Sequence, residues 1–240
     1  MTEKFIISNR MIIVAVAQLF AAICIQVPAA GQWREIQGPE GASINVLFSH
    51  GDYLFAGTDN GILRSTDHGG SWKKVRMGEA NPYISSFTAI GKALFAGSGG
   101  CIFRSSDYGQ TWEIAEAFGD VTSIAAVGTH LFAGLRGGAP HVVLPSGIIR
   151  STDNGRTWTR VGQGVADGNI ISLTVIGTEL FAGTRYRAFR SSDQGNSWTE
   201  IKASIDSPYR AKTDIAFYAF AAIGNQLFAG TEYGVLVSTD

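Results

Sequence analysis

The stretch Leu54-Phe55-Ala56-Gly57, followed by Ser65-Thr66-Asp67-His68-Gly69-Gly70-Ser71-Trp72, decides the fold because the chain repeats it. Leu-Phe-Ala-Gly returns at residues 94–97, 131–134, 180–183 and 227–230. The serine-rich boxes begin at Ser65, Ser105, Ser151, Ser191 and Ser238, a period of 40 to 47 residues, and the fifth box reaches only its aspartate. A period of this length is typical of the four-stranded blade of a β-propeller.

The spacing inside one unit predicts its strands. The phenylalanine of the tetrapeptide precedes the box aspartate by 12 residues in every unit except the third, which carries nine more. In the first unit we predict strand A at residues 43–48, with a turn at 50–51, strand B at 53–57, strand C at 62–65 and strand D at 72–75. Short strands joined by polar turns, with no helical segment between them, indicate an antiparallel meander. The sequence therefore predicts an all-β protein, a β-propeller of four-stranded antiparallel blades with five blades visible.

The first thirty residues form a separate segment. Lys4 and Arg10 precede an apolar run at residues 11–27, and small residues follow at 27–31. This layout predicts a secretory signal peptide over residues 1–30. An uncleaved membrane anchor is the alternative, because the run is close to the length that spans a bilayer.

Export sets the expectations for the rest of the chain, residues 31–240. We expect a bacterial protein in the periplasm, at the cell surface or secreted, with no membrane span after cleavage. Cys101 is then the only cysteine, so no disulfide forms within the chain. The formal net charge of −1 supplies no basic excess for a phosphate backbone, which excludes nucleic acid as the expected partner.

The boxes resemble the Asp-box, or BNR, repeat (Ser/Thr-x-Asp-x-Gly-x-Thr/Ser-Trp) of sialidase-like and sortilin-like β-propellers. The resemblance covers residues 33–240, and the family includes glycosidases, photosystem assembly factors and receptor ectodomains. It implies that the box lies away from the active face. The aspartate can accept N–H bonds within its turn, so we assign the boxes to folding. The residues concerned are Asp67, Gly69, Trp72, Asp107, Gly109, Trp112, Asp153, Gly155, Trp158, Asp193, Gly195, Trp198 and Asp240.

The two ends of the repeat region complement each other. Residues 31–36 resemble a strand D, and residues 235–238 resemble a strand C. The N-terminal strand could therefore complete the fifth blade and close a five-bladed ring. A fragment of a larger propeller of about six to eight blades is the alternative.

The chain contains no pattern for a cofactor or metal, and we expect neither. Its four histidines lie in separate turns without metal-ligand spacing. The resemblance to sialidases would imply an arginine cluster, a tyrosine nucleophile paired with a glutamate, and an N-terminal Phe/Tyr-Arg-Ile-Pro signature, which is absent. Arg64, Arg104, Arg150 and Arg190 each precede a box, so we interpret them as residues of the repeat face.

The topology of the blades indicates which end of the propeller is the ligand face. The boxes lie in C–D turns, so the B–C and D–A loops emerge at the opposite end, and loops on a rigid scaffold commonly carry function. Two of these loops are long, at residues 135–147 and 203–214. The candidate ligand residues are Tyr83, Arg136, His141, Arg185, Tyr186, Arg187, Tyr209, Arg210, Glu232 and Tyr233.

Two functions of different classes follow from this face. The first is an exported, non-enzymatic module, expected to be monomeric, that binds a protein or a surface glycan. The second is a glycoside hydrolase of sialidase type, for which adjacent Glu232 and Tyr233 are the suggestive pair. We favour binding, because every tryptophan is used by the repeat and none is left to stack on a sugar.

Overall fold

The computed structural model describes residues 43–78, 82–117, 119–137, 146–165, 168–202, 215–224 and 226–238. Within these ranges the chain forms 19 strands and no helix, arranged as five antiparallel sheets in chain order. The predicted all-β fold of successive propeller blades is confirmed. No described helix is long and apolar enough to span a bilayer, and the apolar run at residues 11–27 lies outside the described residues.

The first three sheets each have four strands. Blade 1 contains β1 (Ile44–His50), β2 (Tyr53–Thr58), β3 (Gly61–Ser65) and β4 (Lys73–Lys74). Blade 2 contains β5 (Ile84–Ile90), β6 (Ala93–Ser98), β7 (Cys101–Ser105) and β8 (Glu113–Ala117). Blade 3 contains β9 (Asp120–Val127), β10 (His130–Arg136), β11 (Gly147–Ser151) and β12 (Thr159–Val161).

The fourth and fifth sheets differ in strand number. Blade 4 contains β13 (Ile170–Ile176), β14 (Glu179–Thr184), β15 (Ala188–Ser191) and β16 (Thr199–Ile201). Blade 5 contains β17 (Phe217–Ile223), β18 (Gln226–Thr231) and β19 (Gly234–Ser238), so its described part has three strands. The strand D predicted for this blade from residues 31–36 lies outside the described residues.

The predicted strands of the first unit need two corrections. His50 belongs to strand β1, where it pairs with Tyr53, and the turn begins at Gly51, whose φ of 58° suits a tight reversal. Strand D is shorter than predicted and contains only Lys73 and Lys74. These two residues pair with Leu63 and Arg64 of β3, and the Val75 N–H after them still donates to the Ile62 carbonyl at 3.0 Å.

Every innermost strand carries a bulge near its start. The register shifts there in all five sheets, and the additional residues are Asn45, Ser85, Thr122, Ile171 and Tyr218. A bulge re-aims its side chain out of the regular alternation. The Ser85 hydroxyl donates to the Val121 carbonyl at 2.6 Å, and the Thr122 hydroxyl donates to the Ile170 carbonyl at 2.8 Å. The bulges thus connect neighbouring blades.

The hydrophobic core lies between blades. One cluster joins Phe55 and Ile62 of blade 1 to Phe87 and Trp112 of blade 2. The rings of Phe55 and Trp112 meet edge to face, with centroids 6.3 Å apart. Phe181 of blade 4 and the blade 5 residues Phe217 and Phe220 belong to another such cluster. Burial therefore depends on each blade having a neighbour.

A glycine in strand B lets neighbouring blades approach closely. A Cβ on Gly97 would lie 2.7 Å from Val121 Cγ1 of the next blade. On Gly134 it would lie 2.5 Å from Ile170 Cγ2. At each of these interfaces the glycine of Leu-Phe-Ala-Gly is therefore needed because a side chain there would collide with the next blade.

Candidate functional site

Each Asp-box is a closed network of hydrogen bonds. In blade 2 the hydroxyls of Ser105 and Thr111 donate to the two carboxylate oxygens of Asp107, at 2.7 and 2.6 Å. The backbone N–H of Thr111 donates to Asp107 Oδ1 at 3.0 Å, and that of Gly109 donates to Ser105 Oγ at 2.9 Å. Trp112 Nε1 donates to the Gly109 carbonyl at 3.2 Å. These side chains are occupied within their own turn.

The same network holds the carboxylates of the other described boxes in the ionised form. Ser71 and Ser65 donate hydrogen bonds that lower the pKa of Asp67 to about 2. Ser197 and Ser191 do the same at Asp193, again to about 2, and Thr157 with Ser151 lowers the pKa of Asp153. Partial burial opposes the shift at Asp107, but hydrogen bonds from Thr111, Ser105 and Gln110 lower its pKa to about 2. Low pKa values with these causes fit the structural role predicted for the boxes. Asp240 lies outside the described residues.

The boxes of blades 2, 3 and 4 pack against the preceding blade. A Cβ on Gly109 would lie 2.2 Å from the Phe55 ring of blade 1, and a Cβ on Gly155 would lie 2.5 Å from the Phe95 ring of blade 2. The residue before Gly109 is Tyr108, which has a positive φ of 58°. Arg64 of blade 1 donates to that carbonyl from Nε at 3.0 Å. The box is therefore part of the interface between blades.

Two of the four repeat-face arginines, Arg64 and Arg150, contribute to this packing. Arg150 Nη1 of blade 3 donates to the Gln194 carbonyl in the box of blade 4 at 2.9 Å. Arg104 and Arg190 form ion pairs inside their own blades, with Glu113 and Glu179. The four arginines are thus distributed over four blades rather than gathered around one site.

The opposite end of the sheets carries the B–C and D–A loops, as the meander topology predicts. Asn45 at the start of β1 donates from Nδ2 to Asp59 in the B–C turn, at 2.9 Å. Gly61 N–H donates to the carbonyl of Pro82 in the next D–A connection, at 2.9 Å. Thr58 Oγ1 braces the turn by donating to the Gly61 carbonyl at 2.9 Å. We call this end the loop face.

Three candidate tyrosines are exposed on the loop face. Tyr83 precedes β5 and is 50% exposed, while Tyr186 and Tyr233, in B–C turns, are each 42% exposed. They belong to blades 2, 4 and 5. Glu232, beside Tyr233, is also exposed.

The candidate arginines are paired within their own blades. Arg136 forms an ion pair with Asp120 of the same blade. Arg187 Nη1 lies 3.1 Å from Glu200 Oε2, and the Arg185 guanidinium lies 5.8 Å from the centre of the Tyr186 ring. Arg185 and Tyr186 are thus brought together. His141, Tyr209 and Arg210 lie outside the described residues.

Sequence reasoning missed the bulged residues as part of this end. Tyr218, the bulged residue of blade 5, is 36% exposed and lies near the start of β17. The sequence carried a signal for these bulges in blades 1 to 3, where the polar residues Asn45, Ser85 and Thr122 follow an apolar residue near the start of strand A. No group of three or more metal-ligating side chains occurs among the described residues.

Comparison with known families tests the box prediction. The profile of the BNR-Asp box repeat matches residues 102–114, which contain most of β7 and the box of blade 2. The chain carries Asp-box repeats. The described boxes of blades 1, 3 and 4 share its hydrogen bonds, from the serine hydroxyl to the aspartate and from the box glycine to the serine. A search of curated protein sequences found no match.

Solved structures show the same fold for this Asp-box chain. The extracellular domain of a one-component system from B. thetaiotaomicron is 17% identical with a TM-score of 0.67, over 84% of this chain and 27% of that one. An ancestral GH74 enzyme is 17% identical with a TM-score of 0.66, over 87% of this chain and 31% of that one. YCF48 bound to D1 peptide is 16% identical with a TM-score of 0.59, over 86% of this chain and 67% of that one. The chain therefore spans about a third or less of the first two.

Proposed function

We propose that this protein is an exported, non-enzymatic binding module that holds a protein partner on its loop face. The observation that carries the proposal is the placement of Tyr83, Tyr186 and Tyr233, which are exposed at one end of three different blades. Tyrosine offers a large contact area at a low cost in conformational entropy. The box end differs, since its repeated polar side chains are committed to their own turns.

The charges beside these tyrosines suit a polar rim. Arg185 lies beside Tyr186, and the ion pair between Arg187 and Glu200 has both side chains exposed to more than 40%. Arginine and tyrosine together are typical of the residues that dominate binding energy. A peptide that presents acidic side chains or exposed polar backbone groups would suit this face. A surface glycan is the other ligand that these side chains could bind.

The structural neighbours support binding and export as proposals. YCF48 is a protein of the same fold whose structure contains a bound peptide, and this chain spans 67% of it. The one-component system contributes an extracellular domain. Residues 1–30, with their basic start and apolar run, supply the proposed signal for export.

Glycoside hydrolysis is the second candidate, because the ancestral GH74 enzyme shares the fold. This chain spans 31% of that enzyme. On the described loop face, the carboxylate of Asp120 is engaged by Arg136 and that of Glu200 by Arg187. Glu232 beside Tyr233 is the pair on which this alternative depends.

Photo-crosslinking from defined positions tests the proposal. A photoreactive phenylalanine analogue is placed at Tyr83 or Tyr186 on the loop face, and at Asp52 or Thr129 in exposed turns of the box end. We expect a discrete partner band from the loop-face positions alone, and we expect Tyr83→Ala, Tyr186→Ala, Tyr233→Ala to abolish it while Asp52→Ala, Thr129→Ala does not. Equal labelling from both ends would contradict the choice of face.

A panel of aryl glycosides, including a sialoside, tests the alternative with the same protein. The binding proposal expects no turnover above that of a heat-denatured sample. Turnover that is lost in Glu232→Gln, and in Tyr233→Phe, would establish the hydrolase and overturn the non-enzymatic proposal.

A further inference from the structure

Blade 1 has an apolar face that no described part of the chain covers. Leu47 of β1 is 64% exposed. Its counterparts at the same register position are Phe87, Ile124, Leu173 and Phe220, all at most 6% exposed. Those four side chains pack on a preceding blade, as the Phe55 and Phe87 rings do with centroids 6.2 Å apart. Leu47 occupies the same position in its strand, but no described blade precedes blade 1 to cover it.

The box tryptophan of blade 1 belongs to the same bare face. Trp112, Trp158 and Trp198 each donate from Nε1 to the carbonyl of their box glycine, at 3.2 to 3.3 Å. Trp72 Nε1 is buried and has no hydrogen-bond partner among the described residues. Trp158 of blade 3 is half-buried, as Trp72 is, so the missing hydrogen bond rather than the burial distinguishes Trp72.

Blade 5 has the complementary bare face. Val235 is 72% exposed, whereas its counterparts Ile62, Ile102, Ile148 and Ala188 are at most 1% exposed. Phe228, the counterpart of Phe55, is half-buried. A Cβ on Gly230 would meet nothing closer than 3.8 Å, whereas the matching glycine of blade 2 has Val121 at 2.7 Å. This surface has the shape that receives a following blade.

One substitution makes the blade 5 face more apolar than the internal ones. Val237 pairs with Phe228 and is 55% exposed, at the position where the other four blades have an arginine. The arginine of blade 1 donates to the next box, from Arg64 Nε to the Tyr108 carbonyl. A valine there leaves an apolar stripe, Val235 and Val237, on the outermost described strand, a typical template for association.

We propose that the blade 5 face of one copy docks onto the blade 1 face of a second copy, head to tail. The two faces are the two halves of the interface that the chain already builds four times between its own blades. Leu47 of one copy then packs on Phe228 and Val235 of the other, as Phe87 packs on Phe55 and Ile62 inside the chain.

This inference does not rest on the proposed function, and it departs from the monomer expected from the sequence. The contact is heterologous, because each copy contributes a different surface. A dimer therefore keeps one open face of each kind, and association continues until a ring closes or a filament forms. Since the interface lacks the arginine contact, association should persist at high ionic strength.

Sedimentation velocity over a wide concentration range tests the docking. The parent should shift from monomer to larger species as concentration rises, and about as strongly in high salt. Leu47→Glu and Val235→Glu should each weaken association about tenfold or more. The matched control is Ile114→Glu, since Ile114 is 59% exposed on β8, away from both end faces, and it should associate like the parent. All variants share the same residues 1–42.

Mixing the two variants gives the decisive result. Leu47→Glu keeps an intact blade 5 face and Val235→Glu keeps an intact blade 1 face, so an equimolar mixture should form a heterodimer that cannot extend. A parent that is monomeric throughout would overturn the proposal, as would a variant that still self-associates alone or a mixture that forms no complex. A monomeric variant that melts well below the parent monomer would show that the face is covered within the chain, which also overturns it.

Discussion

Blade 2 and blade 5 share the same strand pattern, including Leu-Phe-Ala-Gly in strand B, yet they bury matching positions differently. Ile102 of blade 2 is completely buried, whereas Val235 at the matching position of blade 5 is 72% exposed. Gly97 has Val121 of the next blade against its backbone, and Gly230 has no such neighbour among the described residues. Burial in this protein is thus a property of the interface between two blades rather than of a strand.

The largest difference is expected between Phe87→Ala and Leu47→Ala, which truncate the same position in blades 2 and 1. Phe87 is fully buried between two sheets, so its loss should cost about 3–5 kcal/mol of unfolding free energy. Leu47 is 64% exposed, so its loss should change stability by about 0.5 kcal/mol or less. Urea unfolding at low protein concentration, where copies do not associate, measures both. Similar losses would show that the blade 1 face is already covered.

Alanine substitutions at Gly97 and Gly230 should change the stability of the protein in opposite directions. Gly97→Ala puts a methyl group 2.7 Å from Val121, so overpacking should destabilise the protein by about 1–3 kcal/mol. Gly230→Ala meets nothing closer than 3.8 Å and restricts the unfolded chain, so it should stabilise by about 0.4–1 kcal/mol. Thermal melts of the two variants against the parent decide this. A loss in Gly230→Ala as large as in Gly97→Ala would place a covering sheet over blade 5.

The Asp-box contributes less, and its position matters. Asp107→Ala leaves the turn N–H groups of Gln110 and Thr111 without their acceptor, and should cost about 1–2 kcal/mol because the turn is open to water. Asp67→Ala breaks the matching network in blade 1, whose box has no preceding blade among the described residues. Its melting temperature should therefore fall less. Equal losses would indicate that the box stabilises only its own turn.

The smallest expected effect is the pH dependence of the stability that the Asp-boxes contribute. The folded pKa of Asp107 is about 2, below its ordinary 3.8, so the ionised box stabilises the fold fully above about pH 4. That contribution disappears as the pH falls through the folded pKa. The difference in melting temperature between the parent and Asp107→Asn should therefore shrink between pH 4 and pH 2. A difference that stays constant over this interval would contradict the role of the charge.

The sequence alone predicted the blades because two local signals recur with fixed spacing. Leu-Phe-Ala-Gly marks strand B and the serine-rich box marks the C–D turn, and both predictions are confirmed by the strand bounds and hydrogen bonds. The topology also placed the B–C and D–A loops at one end. These features are local, so a single sequence carries them.

The contacts between blades could not be predicted from the sequence. That Arg64 donates to Tyr108, 44 residues away, depends on how one sheet sits against the next. The exposure of Leu47 and Val235 is equally invisible, because both positions look like core in the repeat. The described candidate ligand residues lie in the loops where topology predicted them. The ion pairs of Arg136 with Asp120 and of Arg187 with Glu200 depend on side-chain reach, which the sequence does not show.

In blades 2, 3 and 4 the box glycine lies against the phenylalanine of the blade before it, as Gly109 does on Phe55 and Gly155 on Phe95. Each packing interface therefore combines the box of one blade with strand B of the preceding blade, so it spans two successive repeats of the sequence. Duplicating one stretch from box to box would copy both a surface that receives and a surface that inserts, so an added blade would fit at any internal junction. An array of this kind can therefore lengthen by duplication of a blade without requiring a new type of contact.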